Sequence, residues 1–346
     1  MFVRNCWYVI AWEHEVPADG FFARVVLEEP IVVFRTAAGH WVALEDRCCH
    51  RSAPLSKGRR EGDCLRCGYH GLKFDATGQC IEIPGQERIP RDMRVRSYPV
   101  VLHNKWVFVW MGDPALADRG MLPDNFSNEH PDWRYLPGYL HYDTDYLLIC
   151  DNLLDFSHLS YVHEKTLGGS VAIAQSQAQI EPVTAPGQRG LTVTRRVPDV
   201  PPPPYYSKLR TFAGHVDRWF IYDFLLPGTL LMRSGGRPVG ARPDDMSNAV
   251  QLHSCQTLTP ETATTTHYFF QQAHSAQLDD PVFTQAIYDN LILAFNEDRD
   301  MITAQAGNLR RTPHARQVAI AADAALMQFR RLLERAVIAE SQERAA

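Results

Sequence analysis

Over the first 112 residues the apolar positions come in short runs rich in Val, Phe and Trp. These are ARVVL (23–27), IVVFRT (31–36), HWVALED (40–46) and KWVFVWMG (105–112). β-Branched and aromatic residues suit a pleated, half-buried surface, and the Gly, Pro and Asp between the runs are turn residues. The pattern predicts an all-β unit. GDPALADRGMLPD (112–124) reads as a linker. From about 134 longer strands mix with helices. LRTFAG and RWFIYDFLLPG (within 209–228), SNAVQLHSCQTL (247–258) and TATTTHYFFQQA (262–273) read as antiparallel strands, and DVPPPPYYS (199–207) as an extended loop. After DDP (279–281) the apolar spacing becomes helical, with the two Asp residues as N-cap candidates and Pro281 suited to the first turn. A second helix is predicted over 318–340. The reading is an α+β chain of two domains, 1–115 all-β and 116–346 an antiparallel sheet with helices.

Composition narrows the function classes. With 45% hydrophobic and 22% charged residues among 346, the chain is ordinarily globular. A formal net charge of −5 gives no reason to expect nucleic-acid binding. The N-terminus MFVRNCWYVIAWEHEV carries charges every few residues, so no signal peptide is expected. No membrane span is expected either, for want of about 18 consecutive uncharged apolar residues. Eight cysteines, four of them within 48–67, do not form the even spread of a secreted disulfide framework. The expected location is the cytoplasm.

Those four cysteines bring in chemistry. CCHRSAPL (48–55) and CGYH (67–70) place Cys48-x-His50 sixteen residues before Cys67-x-x-His70. Two thiolates and two imidazoles fit a structural zinc, or a [2Fe–2S] cluster with two histidines on its second iron. Zinc fingers usually pair Cys with Cys and His with His. One Cys and one His in each loop favours the cluster over a zinc-stabilised binding module. Two imidazoles in place of thiolates raise the potential to roughly −150 to +300 mV, against roughly −400 mV for a plant-type cluster, so a ferredoxin-like donor can reduce it. Pro54 and Gly68 are expected to shape the loops, with Gly71 and Gly78 turning the chain back into strands. Cys49 and Cys64 are surplus, and Cys64-x-x-Cys67 lacks the βαβ context of a redox motif. Cys6, Cys80, Cys150 and Cys255 read as small core residues.

A second polar group interrupts an apolar stretch at DNLLDFSHLSYVH (151–163). On a helix Asn152, Asp155 and His158 or Leu159 share a face. His163 lies about 140° round from His158, so both reach one metal only if the helix ends or distorts between them. The plainer alternative is a buried helix with satisfied polar groups. H-E-x-x-H is absent, which argues against a zinc protease. Two histidines leave room for one carboxylate, the facial triad of Fe(II) oxygenases. In AIYDNLILAFNEDRDMITA (286–304), Ile287, Leu291, Phe295 and Ile302 form one helical stripe, and Asp298 falls within it. Such a carboxylate is costly unless paired or metal-bound. Glu297 and Asp300, about 100° and 200° away, are expected in solvent, while Ile292 and Leu293 off the stripe predict broad burial.

Taken together, these segments resemble the oxygenase components of Rieske non-haem iron monooxygenases, in the group of vanillate O-demethylase, toluenesulfonate methyl-monooxygenase and dicamba O-demethylase. The resemblance spans nearly the whole chain: FVRNCWYV, CCHRSAPLS, CGYHGLKFDATGQC, EIPGQERIP, SYPVV, WMGDPA, DNLLDFSHLSYVH, LTPETATTTHYFF and FNEDRDMI. It implies a Rieske domain followed by a helix-grip-like catalytic domain. Cys48 and Cys67 would hold one cluster iron, and His50 and His70 the other. His158, His163 and Asp298 would hold a mononuclear Fe(II). Asp155 matches the aspartate that bridges the cluster of one subunit and the iron of the next in a head-to-tail homotrimer, and Asn152 lies near the iron. A separate flavin- and ferredoxin-type reductase would pass electrons from NADH. The implied reaction uses O₂ to hydroxylate a methyl group of an aromatic acid, and a methoxy group then leaves as formaldehyde. Ring dihydroxylation and electron transfer without catalysis are the rival readings. The strands at 209–258 are expected to line the pocket. Gln256 stands where a related enzyme uses a substrate-contacting histidine, while Arg210, Arg218 and Arg233 are candidates for an acid group. The N-terminal start and FFARVVLEEP lie nearer the toluenesulfonate branch.

Overall fold

The computed structural model describes residues 2–242 and 244–345. The chain divides into two compact units, Met1–Arg119 with Thr259–Ala263, and Gly120–Leu258 with Thr264–Ala346. The short segment Thr259–Ala263 thus groups with the first unit, a long-range assignment that local sequence pattern does not carry.

In the first unit every regular strand is short. β1 (Trp7–Trp12), β10 (Val100–His103) and β11 (Trp106–Trp110) form one sheet in the order β1-β11-β10. Its register is marked by tryptophans: Trp7 pairs with Trp110 and Trp12 with Trp106, with ring centroids 5.3 and 5.4 Å apart. Cross-strand aromatic pairs of this kind stabilise a sheet beyond their buried area. A second sheet joins β2 (Phe22–Val26), β3 (Glu29–Arg35), β4 (Trp41–Glu45) and β9 (Ser97–Tyr98). A third small sheet, β5 (Arg59–Glu61), β6 (Cys64–Arg66), β7 (Lys73–Phe74) and β8 (Cys80–Glu82), carries the CGYH loop between β6 and β7. Val32, Phe34, Leu44, Leu55, Leu65 and Phe74 pack into one core with Cys48 and Cys67. The loop thiols are therefore fixed from behind by apolar packing.

The second unit is built on a seven-stranded antiparallel sheet. Its strands are β12 (Gly138–Tyr142), β13 (Ala178–Pro182), β14 (Gly190–Val200), β15 (Val216–Leu225), β16 (Thr229–Pro238), β17 (Val250–Pro260) and β18 (Thr266–His274), in the order β12-β18-β17-β16-β15-β14-β13. Helices α1 (Tyr146–Leu154), α5 (Pro281–Arg311) and α6 (Ala324–Ala345) accompany it, with short turns α2 (Leu159–Val162), α3 (Val171–Gln175) and α4 (Tyr206–Leu209) between strands. Arg330 of α6 pairs with Asp151 of α1 (Nε to Oδ1, 2.9 Å), and the Tyr142 hydroxyl donates to the Phe295 carbonyl of α5 at 3.0 Å.

Three expectations change here. LRTFAG is not a strand, because Arg210 N donates to Tyr206 O at 2.7 Å and closes a helical turn; β15 begins only at Val216. Burial on α5 is narrow rather than broad: Leu291, Ala294, Phe295, Asp298 and Ile302 are buried, whereas Leu293 is 56% exposed. The final helix starts at Ala324, six residues later than its apolar spacing predicts. The α5 start agrees with its caps. The Asp280 carboxylate accepts from Val282 N and Phe283 N at 2.9 and 3.0 Å, and Pro281 opens the helix. Losing that cap costs about 1 kcal/mol. Asp280→Ala is expected to lower the melting temperature of the catalytic unit by about 2–4 °C in a calorimetric scan.

Candidate metal centres

The first candidate centre rests on two loops. Cys48 N donates to Ala53 O and Ser52 N to Cys48 O (2.8 and 2.9 Å), while Cys67 N donates to Leu72 O and Gly71 N to Cys67 O (2.8 and 3.1 Å). Gly71 takes φ +76°, a left-handed conformation in which glycine is favoured. Gly68 needs its missing side chain, since a Cβ there would sit 2.7 Å from Lys57 O. Cys48 and Cys67 are each 2% exposed. His50 and His70 are exposed, their ring centroids 4.7 Å apart. Burial pushes the Cys48 thiol up to about 11, with neighbouring Cys67 adding to the shift against a backbone hydrogen bond that lowers it. A buried thiol pair of this kind becomes thiolate only with cationic compensation, which bound iron provides. Cys49 is exposed, Cys64 is half-buried, and Cys6, Cys80, Cys150 and Cys255 are buried.

The second candidate centre depends on an interrupted helix. α1 ends at Leu154 because Asp155 leaves helical geometry (φ −114°, ψ 92°). Its carboxylate caps the next turn by accepting from Ser157 N and Ser157 Oγ, both at 2.9 Å. The chain resumes in a tight turn, Phe156–His158, then α2, and His163 follows as its C-cap. The tight turn that ends at His158 and the short α2 that stops at His163 bring the two rings to one side, 5.3 Å apart. Asp298 of α5 completes the group. Its Oδ2 lies 3.1 Å from His163 Nε2, and its Oδ1 lies 3.5 Å from His158 Nε2 while accepting from Asn152 Nδ2 at 3.0 Å.

The two donor sets differ in kind. Among the described residues, His158, His163 and Asp298 alone bring three potential ligand atoms within 4.8 Å of one another. That fits one ion. Cys48, His50, Cys67 and His70 offer four donors, two thiols and two imidazoles, the set that fits a two-iron cluster.

The histidine orientations have causes. The Nδ1 atom of His158 is 2.5 Å from the Asp155 carbonyl, which leaves Nε2 to face Asp298. The Asp155 main chain therefore orients His158 within the chain, while its carboxylate accepts from Ser157. His163 Nδ1 lies 2.8 Å from Glu297 Oε2, which also accepts from Thr166 Oγ1 at 2.8 Å. Glu297 was expected in solvent. Its longer side chain, next to Asp298 on α5, instead reaches back to the buried histidine. Burial lowers His158 despite Asp298. Burial also works to lower His163, but Asp298 and Glu297 together raise it.

A cavity opens onto this triad. Leu153, Phe156, Leu159, Phe220, Leu291 and Phe295 supply apolar wall. Of the expected substrate residues, Arg218 and Gln256 line it and Arg233 does not. Met232 and Ser234 line the cavity, so strand alternation turns Arg233 between them to the other face, where it is exposed. Arg210 is exposed too, bonded to Asn248 Oδ1 and Ser247 O. The Gln256 Oε1 accepts from the Tyr268 hydroxyl. Leu167, Tyr205 and Gln272 also line the cavity and were missed. The first two lie on irregular segments that carry no periodic signal.

An all-β unit with paired Cys–His loops, followed by an antiparallel-sheet unit holding a histidine–histidine–aspartate group, defines an iron-dependent oxygenase class. Comparison with known proteins agrees. The Rieske [2Fe–2S] domain family matches residues 6–99, and the vanillate O-demethylase oxygenase C-terminal domain family matches residues 142–339. The chain is 47% identical to the toluene-4-sulfonate monooxygenase system iron-sulfur subunit of Comamonas testosteroni, with 99% of each chain covered. It is 32% identical to the vanillate O-demethylase oxygenase subunit of a Pseudomonas species, over 99% of this chain and 97% of that one. The crystal structure of dicamba monooxygenase bound to dicamba superposes with a TM-score of 0.87 at 30% identity, covering 100% of this chain and 99% of that one. The chain belongs to the Rieske non-haem iron oxygenases, among the oxygenase components of multi-component monooxygenase systems. Among the described residues no helix is long and apolar enough to cross a membrane.

Proposed function

We propose that this chain is the terminal oxygenase of a system that hydroxylates or removes a methyl group on a substituted aromatic acid, resembling toluenesulfonate or vanillate. The observation that carries the reading is the apolar cavity opening onto His158, His163 and Asp298. Cys48, Cys67, His50 and His70 would hold the [2Fe–2S] cluster, and His158, His163 and Asp298 the mononuclear iron. When bound, the cluster supplies electrons one at a time and the mononuclear iron activates O₂.

The chain's own residues do the remaining work. Leu153, Phe156, Leu291 and Phe295 keep water from the reacting methyl group and hold the ring beside the triad. Asn152 steadies Asp298 through Oδ1, and Glu297 and the Asp155 carbonyl fix the two imidazoles so that each presents Nε2. A methyl on carbon yields a benzylic alcohol, and a methyl on oxygen yields a phenol and formaldehyde. Electrons reach the cluster from NADH through a separate reductase, and the working form is a homotrimer; both follow from the family resemblance. The purified protein is expected to contain about three iron atoms per chain, two of them with a Rieske spectrum. About two irons with an intact Rieske spectrum would instead support an electron carrier.

Asp155 is assigned the bridging role between subunits. Its carboxylate binds only local Ser157 donors among the described contacts, so one lone-pair side is left for a partner. Asp155→Asn keeps the Ser157 N contact through Oδ1 and puts an amide donor where Oδ2 accepts from Ser157 Oγ. It is expected to retain both metals but slow reoxidation of the reduced cluster by about tenfold in stopped-flow mixing with O₂ and substrate. An unchanged rate refutes the role.

A further inference from the structure

Arg218 of β15 is 3% exposed and lines the same cavity as the triad. Its Nη1 donates to Gly168 O at 2.9 Å. Its Nε and Nη2 have no hydrogen-bond partner among the described residues. No carboxylate pairs with it there. Its neighbours are aromatic and phenolic: Tyr205 and Tyr206 interact with the guanidinium, whose carbon lies 5.5 Å from the Tyr206 ring centroid and 5.2 Å from that of Phe220. The buried Arg195 is better satisfied, since its Nη1 alone donates to Ile173 O, Ser176 O and Ser176 Oγ, and of its buried nitrogens only Nε is without a partner among the described residues. A guanidinium stays charged at any physiological pH, and an unpaired buried charge is strongly destabilising. The fold retains this one beside neutral phenols, with its Nε and Nη2 edge short of a well-formed hydrogen bond.

That edge is the relevant one. Nε–H and Nη2–H form the parallel fork that grips two oxygens of one anion. The Gly168 carbonyl already holds Nη1, so the fork is set before any ligand arrives. The strand register extends the site. Arg218 pairs with Gly236 and Phe220 with Ser234 across β15 and β16, and Met232 pairs with Ser254 across β16 and β17. Alternation puts Arg218, Phe220, Ser234, Met232 and Ser254 on one face. Gly236 beside Arg218 leaves room for Tyr206, because a Cβ there would come 2.6 Å from Tyr206 Cε2. The result is one cationic fork in an otherwise mainly apolar, aromatic-lined chamber, with the two serines next along the strip.

We propose that Arg218 anchors the single oxyanion, sulfonate or carboxylate, of an aromatic substrate through Nε and Nη2. This rests on the methyl-oxygenation reading and adds what that reading lacks, the residue that selects acids over neutral arenes. It also separates Arg218 from Arg210 and Arg233, which face away from the cavity.

The test compares wild type, Arg218→Gln and Arg218→Lys in the reconstituted system. The substrates are 4-methylbenzenesulfonate, 4-methylbenzoate and the uncharged 4-methylbenzenesulfonamide. Binding of benzenesulfonate, which has no methyl group to oxidise, is measured by calorimetry on the same proteins. Arg218→Gln is expected to raise KM for the preferred anion, and the Kd of benzenesulfonate, by about 10- to 100-fold, the value of a hydrogen-bonded charge. KM for the sulfonamide should change by less than about threefold on the same scale. Arg218→Lys keeps charge but not the fork and should fall between; it serves the same comparison if the Gln variant does not fold. The sulfonate and benzoate arms show which oxyanion the fork prefers. Equal shifts for anion and sulfonamide, or an unchanged Kd, overturn the anchor. A wild type that binds benzenesulfonate through Arg218 yet oxidises no methyl arene keeps the anchor and overturns the oxygenation reading.

Discussion

Asp298→Ala is expected to abolish turnover while leaving the visible Rieske spectrum unchanged. Asp298 is 5% exposed on an apolar helical stripe between Phe295 and Ile302, and both its oxygens face nitrogens: Asn152 Nδ2 and His158 Nε2 at Oδ1, His163 Nε2 at Oδ2. A carboxylate so placed supplies the one anionic donor of the group. Without it two neutral imidazoles remain, too few to hold Fe(II) in a facial site. Iron should fall from about three atoms per chain to about two, both in the cluster. The cluster donors lie in the other unit and are untouched by the change. Iron analysis beside the absorption spectrum checks this. Retention of the third iron with activity would remove Asp298 from the site.

Glu297→Ala is the second large effect. Glu297 Oε2 accepts from both His163 Nδ1 and Thr166 Oγ1 at 2.8 Å. It thereby fixes which nitrogen of His163 carries the proton and which faces Asp298. Partners that orient a metal-binding histidine are worth about 10- to 100-fold in affinity or activity. Competition with a ferrous chelator should show Fe(II) affinity lower by that factor, with the cluster intact. Glu297→Gln, which keeps an acceptor for Nδ1–H, should recover part of the loss. Wild-type affinity in the Ala variant would reduce Glu297 to a surface contact.

Sequence pattern reached some of this and not the rest, for identifiable reasons. A distortion between His158 and His163 was legible because two histidines five apart cannot share an ion on a continuous helix; the end of α1 at Leu154, upstream of both, was not. The α5 start was legible because Asp280 and Pro281 act locally. Asp298 stood out as a charge on an apolar stripe. Glu297 did not, since its angle on the helix faces away and only its side-chain length brings it back to His163. Arg233 and Arg218 could not be separated by composition. Strand parity separates them, and parity depends on where β15 and β16 begin, which the turn at Tyr206–Arg210 shifted. The grouping of Thr259–Ala263 with the first unit is a long-range event with no local signature.

The central claim is methyl oxygenation at the His158, His163 and Asp298 group. Product analysis tests it most directly. The protein is supplied with a surrogate reductase, NADH, O₂ and a panel of methyl- and methoxy-substituted benzoates and benzenesulfonates. The account predicts a benzylic alcohol from the methyl compounds, or a phenol with one formaldehyde for each methoxy group consumed. A cis-dihydrodiol from the same panel would contradict it and assign the chain to ring dihydroxylation.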